Sequence, residues 1–188
     1  TTFLSLYQPS LSIKRGNKMP RSDTFSKRLP KTDMVDFRTP QYLWGFIKSQ
    51  WNPQFDAACE AGINNLATPL RLEDEWSNGV IYSNPPFDTP SIVKWALKGF
   101  EHSRKRIGNV HIMLIPNKLN VVKIQKECSH TFDKLIFLGG RVDFPSPHAV
   151  KGGASRNGSI IVIQDASLNY HDKLNSFICL SVLKELQK

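Results

Sequence analysis

Cysteine is scarce and scattered. Cys59, Cys128 and Cys179 are odd in number and far apart, which excludes a disulfide framework and any zinc-ligand spacing and fits a reducing cytoplasm. The five histidines also fall at no metal-ligand spacing, so no metal is expected. No apolar run approaches the roughly 20 residues that a membrane span requires. The opening residues Thr1-Thr2-Phe3-Leu4-Ser5-Leu6-Tyr7 lack a basic lead followed by a continuous apolar stretch, so a secretory signal is not expected either. A Gly-x-x-x-x-Gly-Lys phosphate loop and a Ser or Cys nucleophile arrangement are missing as well. Acidic residues are the last shortage: 16 Asp and Glu face 25 Lys and Arg, a net charge of +9. A polyanionic partner, nucleic acid, follows from that balance, because each neutralised phosphate releases condensed counterions. A soluble protein that is merely basic is the alternative.

What is present describes a folded protein. The 188 residues suffice for one domain with a real core, and 40% hydrophobic against 22% charged residues excludes a disordered chain. Residues 1–35 stand apart. Between Lys14 and Lys31 the basic residues Lys14, Arg15, Lys18, Arg21, Lys27, Arg28 and Lys31 are opposed only by Asp23, and Ser, Pro and Gly interrupt the stretch. It reads as a flexible basic arm, lying along a DNA backbone or simply solvated. Residues 36–188 then form the domain. Thr39-Pro40 predicts a helix to about residue 50, with the Thr side chain as cap and the proline in first position. A short strand is expected within 53–58, further strands at 79–83, 109–116, 135–138 and 160–163, and a helix opening at Thr89-Pro90. Ile92, Val93, Ala96 and Phe100 form its apolar stripe, with Trp95 beside it. Residues 118–128 read as helical. Leu174, Phe177, Ile178, Val182 and Leu186 suit a final amphipathic helix. Strands alternating with helices predict an α/β fold with a mainly parallel sheet and helices on both faces. Ligands of such sheets bind at the carboxyl ends of the strands.

Asn84-Pro85-Pro86-Phe87 falls at one of those ends, directly after the strand 79–83 and before the Thr89 helix. An exocyclic amine is a poor nucleophile because its lone pair is delocalised into the ring. If the Asn84 side-chain oxygen and the Pro85 carbonyl accept its two hydrogens, a more tetrahedral nitrogen is favoured. Successive prolines fix their own φ and push the preceding residue into extended geometry, so the acceptors are placed before the substrate arrives. Phe87 offers a flat face on which an extruded base can stack. A proline turn beside a core phenylalanine is the plainer alternative.

The chain resembles the phage-type Dam family of DNA N6-adenine methyltransferases over most of 39–163. The resemblance rests on several motifs in order: Thr39-Pro40, Phe55-Asp56-Ala57-Ala58, Trp76, Asn84-Pro85-Pro86-Phe87, Leu114-Ile115-Pro116, Gly140-Arg141-Val142-Asp143-Phe144 and Gly158-Ser159-Ile160-Ile161. It implies a Rossmann-like fold dependent on S-adenosylmethionine (AdoMet). It further implies methyl transfer to N6 of a flipped adenine in double-stranded DNA, inside a bacterial host cell, from a phage or prophage gene.

On that resemblance Asn84, Pro85, Pro86 and Phe87 carry the chemistry. Asp56, Ala57 and Ala58 replace the usual Gly-x-Gly loop of the donor pocket, with Thr39, Pro40 and Asn84 beside it. Without the resemblance, Asp56 is a surface carboxylate before two core alanines, and Thr39 a plain helix cap. Glu73, Asp74 and Glu75 are the candidates for the ribose or adenine end of AdoMet, with Asp74 the one carried into the donor site, or else they form a solvated acidic turn. Trp76 reads as core. The segment 141–157, rich in Pro and Gly, is the expected DNA-contacting loop through Arg141, His148, Lys151 and Arg156, joined by Lys27 and Arg28 of the arm. Arg104-Lys105-Arg106 is a second basic patch or a solvated helix end. Rival acceptors of the same chemistry are adenine in RNA and a protein glutamine. A nucleic-acid-binding module without catalysis is the rival of another class.

Overall fold

The two most continuously aliphatic runs of the chain become its two longest strands, β4 (Val110–Pro116) and β8 (Ser159–Asp165). Every residue of β4 and all but the last of β8 are buried, as expected of strands covered on both faces. They pair antiparallel along their full lengths, from Val110 opposite Asp165 to Pro116 opposite Ser159. The computed structural model describes residues 38–58, 69–145, 153–154 and 158–186. The basic arm of residues 1–35, with Lys27 and Arg28, lies outside the described residues.

Around this pair the other strands complete a seven-stranded sheet: β1 (Phe55–Ala57), β2 (Pro69–Leu70), β3 (Val80–Ser83), β5 (Lys134–Gly139) and β9 (Ser176–Cys179). The order is β2-β1-β3-β4-β8-β5-β9. The pairs β2-β1, β1-β3, β3-β4 and β5-β9 are parallel, while β8 runs against both β4 and β5. The protein is therefore α/β with a mixed sheet: six strands share one direction and β8 alone opposes them. Two further short strands, β6 (Asp143–Phe144) and β7 (Gly153–Ala154), form a separate antiparallel pair between β5 and β8.

Helices cover both faces. One face packs Leu43, Trp44 and Ile47 of α1 (Gln41–Trp51) and Leu180 and Leu183 of α4 (Leu180–Glu185) on Tyr82, Ile112, Leu114, Ile136 and Ile161. The other packs Ile92, Val93, Trp95 and Ala96 of α2 (Thr89–Lys105) and Ile124 of α3 (Val122–Glu127) on Ile81, Met113, Ile115, Ile160 and Val162. Side chains alternate between these cores along each strand, as the pleat requires.

Several local expectations need correction. The side chain of Thr39 does not cap α1; Pro40 is the residue before the first turn, with no side-chain cap bond, because the Thr39 hydroxyl is bonded to Tyr82 instead. Helix α2 is capped one residue earlier than expected: Asp88 Oδ1 accepts from Ser91 N at 2.9 Å, which puts Thr89 and Pro90 inside the first turn. The helix expected over 118–128 is confined to α3, and a 3-10 turn, Ser129–Thr131, follows. The amphipathic helix expected over 174–186 is strand β9 followed by the short α4. Pairing with the open edge of β5 overrides the helical period there. Phe177 stacks on Phe137 across that pair at 4.9 Å, leaving Leu174, Phe177, Val182 and Leu186 exposed.

Gly99 governs how closely α2 approaches the sheet. A Cβ built there would overlap His111 Nδ1 of β4 and Gln164 Oε1 of β8. In an ordinary helix interior Gly→Ala stabilises by about 1 kcal/mol. Here Gly99→Ala is expected to destabilise by about 1–3 kcal/mol, the cost of overpacking a filled core. A thermal melt checks the sign: an unchanged or raised midpoint would mean that α2 does not sit this close.

Candidate active site

The chain places consecutive strands on opposite sides of β1: β2 lies on one side and β3 on the other. Such a reversal opens a crevice beyond the carboxyl ends of the two strands, because their connections leave in opposite directions. Strand β1 ends at Ala57 and β3 at Ser83, and these two residues are paired. Phe55-Asp56-Ala57-Ala58 and Asn84-Pro85-Pro86-Phe87 therefore open side by side at one edge of the sheet.

The first of these motifs combines a buried charge with a tight turn. Asp56 is 2% exposed and is the register partner of Tyr82, so both side chains lie on the α1 face. The Tyr82 hydroxyl and Thr39 Oγ1 are 2.6 Å apart, both buried, which fixes residues 38–40 over this end of β1 and β3. Thr39 and Pro40 are thus tied to the strand beside Asp56 through Tyr82. Ala58 takes φ +65°, left-handed backbone that costs a non-glycine residue roughly 1–2 kcal/mol; its N–H donates to Leu70 O at 3.3 Å. Ala57 is fully buried in the core on the α2 face, and Ala58 is half-buried.

The tetrad bridges β3 and α2. Pro85 is buried, while Asn84, Pro86 and Phe87 are half-buried. Two contacts hold its far end. The Phe87 ring meets Phe144 of β6 edge-on, centroids 5.0 Å apart. Lys118 Nζ, at the carboxyl end of β4, donates to Phe87 O at 2.5 Å. Arg38 N donates to Pro145 O at 3.0 Å, so the base of the β6-β7 pair is tied to the start of α1 as well as to the tetrad. Arg141 is exposed at that base, following Gly140 at φ +112°. His148, Lys151 and Arg156 lie outside the described residues.

Asp74 follows β2, and its Oδ2 accepts from Arg71 N at 2.7 Å, closing its own turn. Glu73 and Glu75 are exposed. Trp76 is core: its Nε1 donates to Arg71 O at 2.9 Å and its ring packs against Trp95 and His111. Arg104 sits at the other edge of the sheet, where α2 ends. It forks onto Asp133 at 2.8 Å through both carboxylate oxygens and lies over the Phe100 ring. Its charge is engaged within the protein.

Beneath the tetrad runs a buried polar chain that the residue patterns did not reveal. Gln164 Nε2 contacts two oxygens that can only accept, Ala96 O at 2.9 Å and Thr131 O at 3.2 Å, and lies 2.9 Å from Thr131 Oγ1. Its Oε1 therefore faces His111 and accepts from Nδ1–H at 2.8 Å. That leaves His111 Nε2 as an acceptor for the Ser83 hydroxyl, also at 2.8 Å. Ser83 immediately precedes Asn84. A lone histidine inside the apolar run 109–116 was the available signal. Ser159, opening β8 at the same edge as the tetrad, is 2% exposed, and its hydroxyl has no hydrogen-bond partner among the described residues.

The two described cysteines offer no chemistry comparable to the tetrad. Cys128 is a core thiol that burial, then Glu127, pushes up to about 11. Cys179 lies exposed at the end of β9. No group of His, Cys, Asp and Glu among the described residues is placed to hold a metal ion. Comparison of the sequence with known families and with curated proteins yields no match to either.

Enclosure pushes the His111 imidazole down to about 4, against a small opposing effect of its bond to Gln164 and with help from neighbouring His102. In the unfolded chain the ring takes up its proton near pH 6.5, about 2.5 units higher. Between those values only the unfolded state binds the extra proton, so acidification favours unfolding, by roughly 3 kcal/mol from this ring alone. Burial lowers His102 too and adds to the same sign. Denaturant titrations should show stability falling as pH drops from about 6.5 towards 4, with the His111 ring signals remaining neutral in NMR to below pH 5. Titration of that ring near 6.5 in the folded protein would contradict the enclosure described.

Proposed function

We propose that this chain is an AdoMet-dependent DNA adenine-N6 methyltransferase of Rossmann-like fold. One observation carries the reading: β1 and β3 are register partners at the point where the strand order reverses. A buried carboxylate followed by two alanines therefore shares a crevice with Asn84-Pro85-Pro86-Phe87. Six strands running one way with helices on both faces support the fold assignment, as does the meeting of Thr39 with Tyr82 beside Asp56.

The donor site fits residues already in place. The small side chain of Ala58, in left-handed backbone, gives a ligand room against the main chain. The Asp56 carboxylate, held away from bulk water, is suited to the ammonium group of AdoMet. When bound, AdoMet supplies an electrophilic methyl group. The protein's part is to prepare the acceptor. Asn84 Oδ1 and the Pro85 carbonyl accept the two hydrogens of the adenine amine and favour a pyramidal nitrogen with its lone pair released from the ring. Phe87, set edge-on to Phe144, offers its face to the extruded base. Both acceptors sit on backbone that consecutive prolines make rigid, so little reorganisation accompanies reaction. The β6-β7 pair rises from the same edge with Arg141 exposed at its base, on the side a duplex must approach.

The test is transfer of labelled methyl from AdoMet to unmethylated DNA, with RNA and protein acceptors in parallel. Label should appear in DNA as N6-methyladenine. Asn84→Ala should lower the rate roughly 100-fold or more with the fold intact, the scale seen when a preorganised polar group at a reacting centre is removed. Asp56→Ala should weaken AdoMet binding by about tenfold or more, as loss of a charge-assisted bond does. Label confined to RNA or to protein glutamine would overturn the DNA assignment, and absence of AdoMet binding would overturn the reading as a whole.

A further inference from the structure

The tetrad has a structural weakness that follows from its composition. Pro85 and Pro86 have no N–H, so this stretch has lost two of the donors with which backbone is normally tied down. The N–H groups of Asn84 and Phe87 and the carbonyls remain as handles, and the proposed chemistry reserves the carbonyl of Pro85 for substrate. A donor brought from elsewhere in the chain can fix the exit of 84–87 through the carbonyl of Phe87. Lys118 is such a donor. Its ammonium reaches across 31 residues of sequence to Phe87 O at 2.5 Å, in a partly buried position. A charged donor makes a shorter and roughly twofold stronger bond than a neutral one.

The mounting of Lys118 is equally telling. It follows β4, the strand buried along its whole length, with one residue between. That residue, Asn117, is itself fixed by its N–H to Gly158 O at 3.1 Å. The clamp thus connects the tetrad to a very firmly held part of the sheet. On its other side lies Asp88, which caps α2 through Ser91 N. Desolvation pushes the Asp88 carboxyl up, but its bonds to Ser91, and after them the charge of Lys118, outweigh that and hold it below the usual carboxylate range. One ammonium group therefore serves both residues that end the tetrad and begin the helix.

We propose that Lys118 is a positioning residue for the acceptor base: by clamping the Phe87 carbonyl it fixes the exit of the tetrad and, through it, the Phe87 ring against Phe144. The role rests on the methyltransferase reading, whereas the clamp itself does not, and the experiment separates the two.

The full-length protein is compared with Lys118→Met, which keeps the aliphatic stem and removes the donor, and with Lys118→Arg, which restores a charged donor. Hydrogen exchange by mass spectrometry over 83–91 reads the clamp without reference to activity. Exchange at Ser91, whose N–H donates to Asp88 Oδ1 just past the clamp, should quicken at least tenfold in Lys118→Met and return towards wild type in Lys118→Arg, while β4 and β8 stay protected. In methyl transfer at saturating AdoMet, kcat should fall about 10- to 100-fold in Lys118→Met, the scale of an ångström-sized misplacement. AdoMet affinity should stay within about threefold, and Lys118→Arg should recover most of the rate. Unchanged exchange in Lys118→Met overturns the clamp. A raised KM for DNA with kcat unchanged overturns positioning in favour of a direct phosphate contact. Faster exchange in a protein whose wild type transfers no methyl group to DNA overturns the catalytic role through the underlying reading, not through the clamp.

Discussion

A neutral imidazole that can give up neither of its hydrogen bonds organises this structure. His111 is fully enclosed, donating through Nδ1 to Gln164 and accepting through Nε2 from Ser83, and Gln164 continues the chain to Ala96 and Thr131. An orphaned polar atom in such surroundings costs about 1–3 kcal/mol, so β3, β4, β8, α2 and the turn after α3 have one relative placement in which every member is satisfied. Apolar packing alone tolerates sliding; a closed hydrogen-bond chain does not. Gly99 shows the same demand from the helix side, since only the absence of a Cβ lets α2 close over the ring.

The candidate site depends on that arrangement. Ser83 is both a terminal member of the chain and the residue before Asn84, so the side chain that satisfies His111 also settles where β3 stops and the tetrad begins. Strand β8 contributes from the opposite direction. Because it runs against its neighbours, its first residue Ser159, with Gly158 just before it, returns to the edge where β1, β3, β4 and β5 end. Gly158 there receives the amide of Asn117, which precedes Lys118. The excursion between β5 and β8 leaves and re-enters at this edge too, which is why Phe144 can reach Phe87. Reversal of one strand thus brings into a single region segments that are far apart in sequence.

How much of this could be read from the residues follows the range of the interaction concerned. Strands β4 and β8 were legible because aliphatic residues in unbroken succession have few other destinations, and the tetrad because consecutive prolines announce local rigidity. The helix faces were legible in outline. Gly99, His102 and Ser103, however, are buried where the apolar stripe pointed to half-exposed Phe100. Errors arose where a distant partner decided a local question. Thr39 has every property of a helix cap and instead bonds Tyr82, 43 residues away. Residues 176–179 have helical spacing and instead extend the open edge of β5. Lys118 gave no sign, since nothing in Pro116-Asn117-Lys118 indicates that its partner is a carbonyl 31 residues earlier.

Charge divides the chain differently from its fold. Between Lys14 and Lys31 seven basic residues meet one acidic residue, so six of the nine net positive charges belong to that stretch and three to the remainder. Within the described part, several of the remaining cations are already matched. Arg104 and Lys173 share Asp133, Lys105 faces Glu101, and Lys123 faces Glu127. The exposed Lys105–Glu101 and Lys123–Glu127 pairs contribute little stability, but all of these pairs reduce the positive field at the surface. Most of the excess positive charge therefore lies in the stretch 14–31, where its field is screened by salt. The carboxyl edge instead presents Asn84-Pro85-Pro86-Phe87 beside the buried carboxylate of Asp56. Charge and rigidity are thus separated along the sequence: the basic stretch precedes the sheet, and the edge that carries the tetrad is stiffened by consecutive prolines, by Lys118 on the Phe87 carbonyl and by the His111 chain behind Ser83.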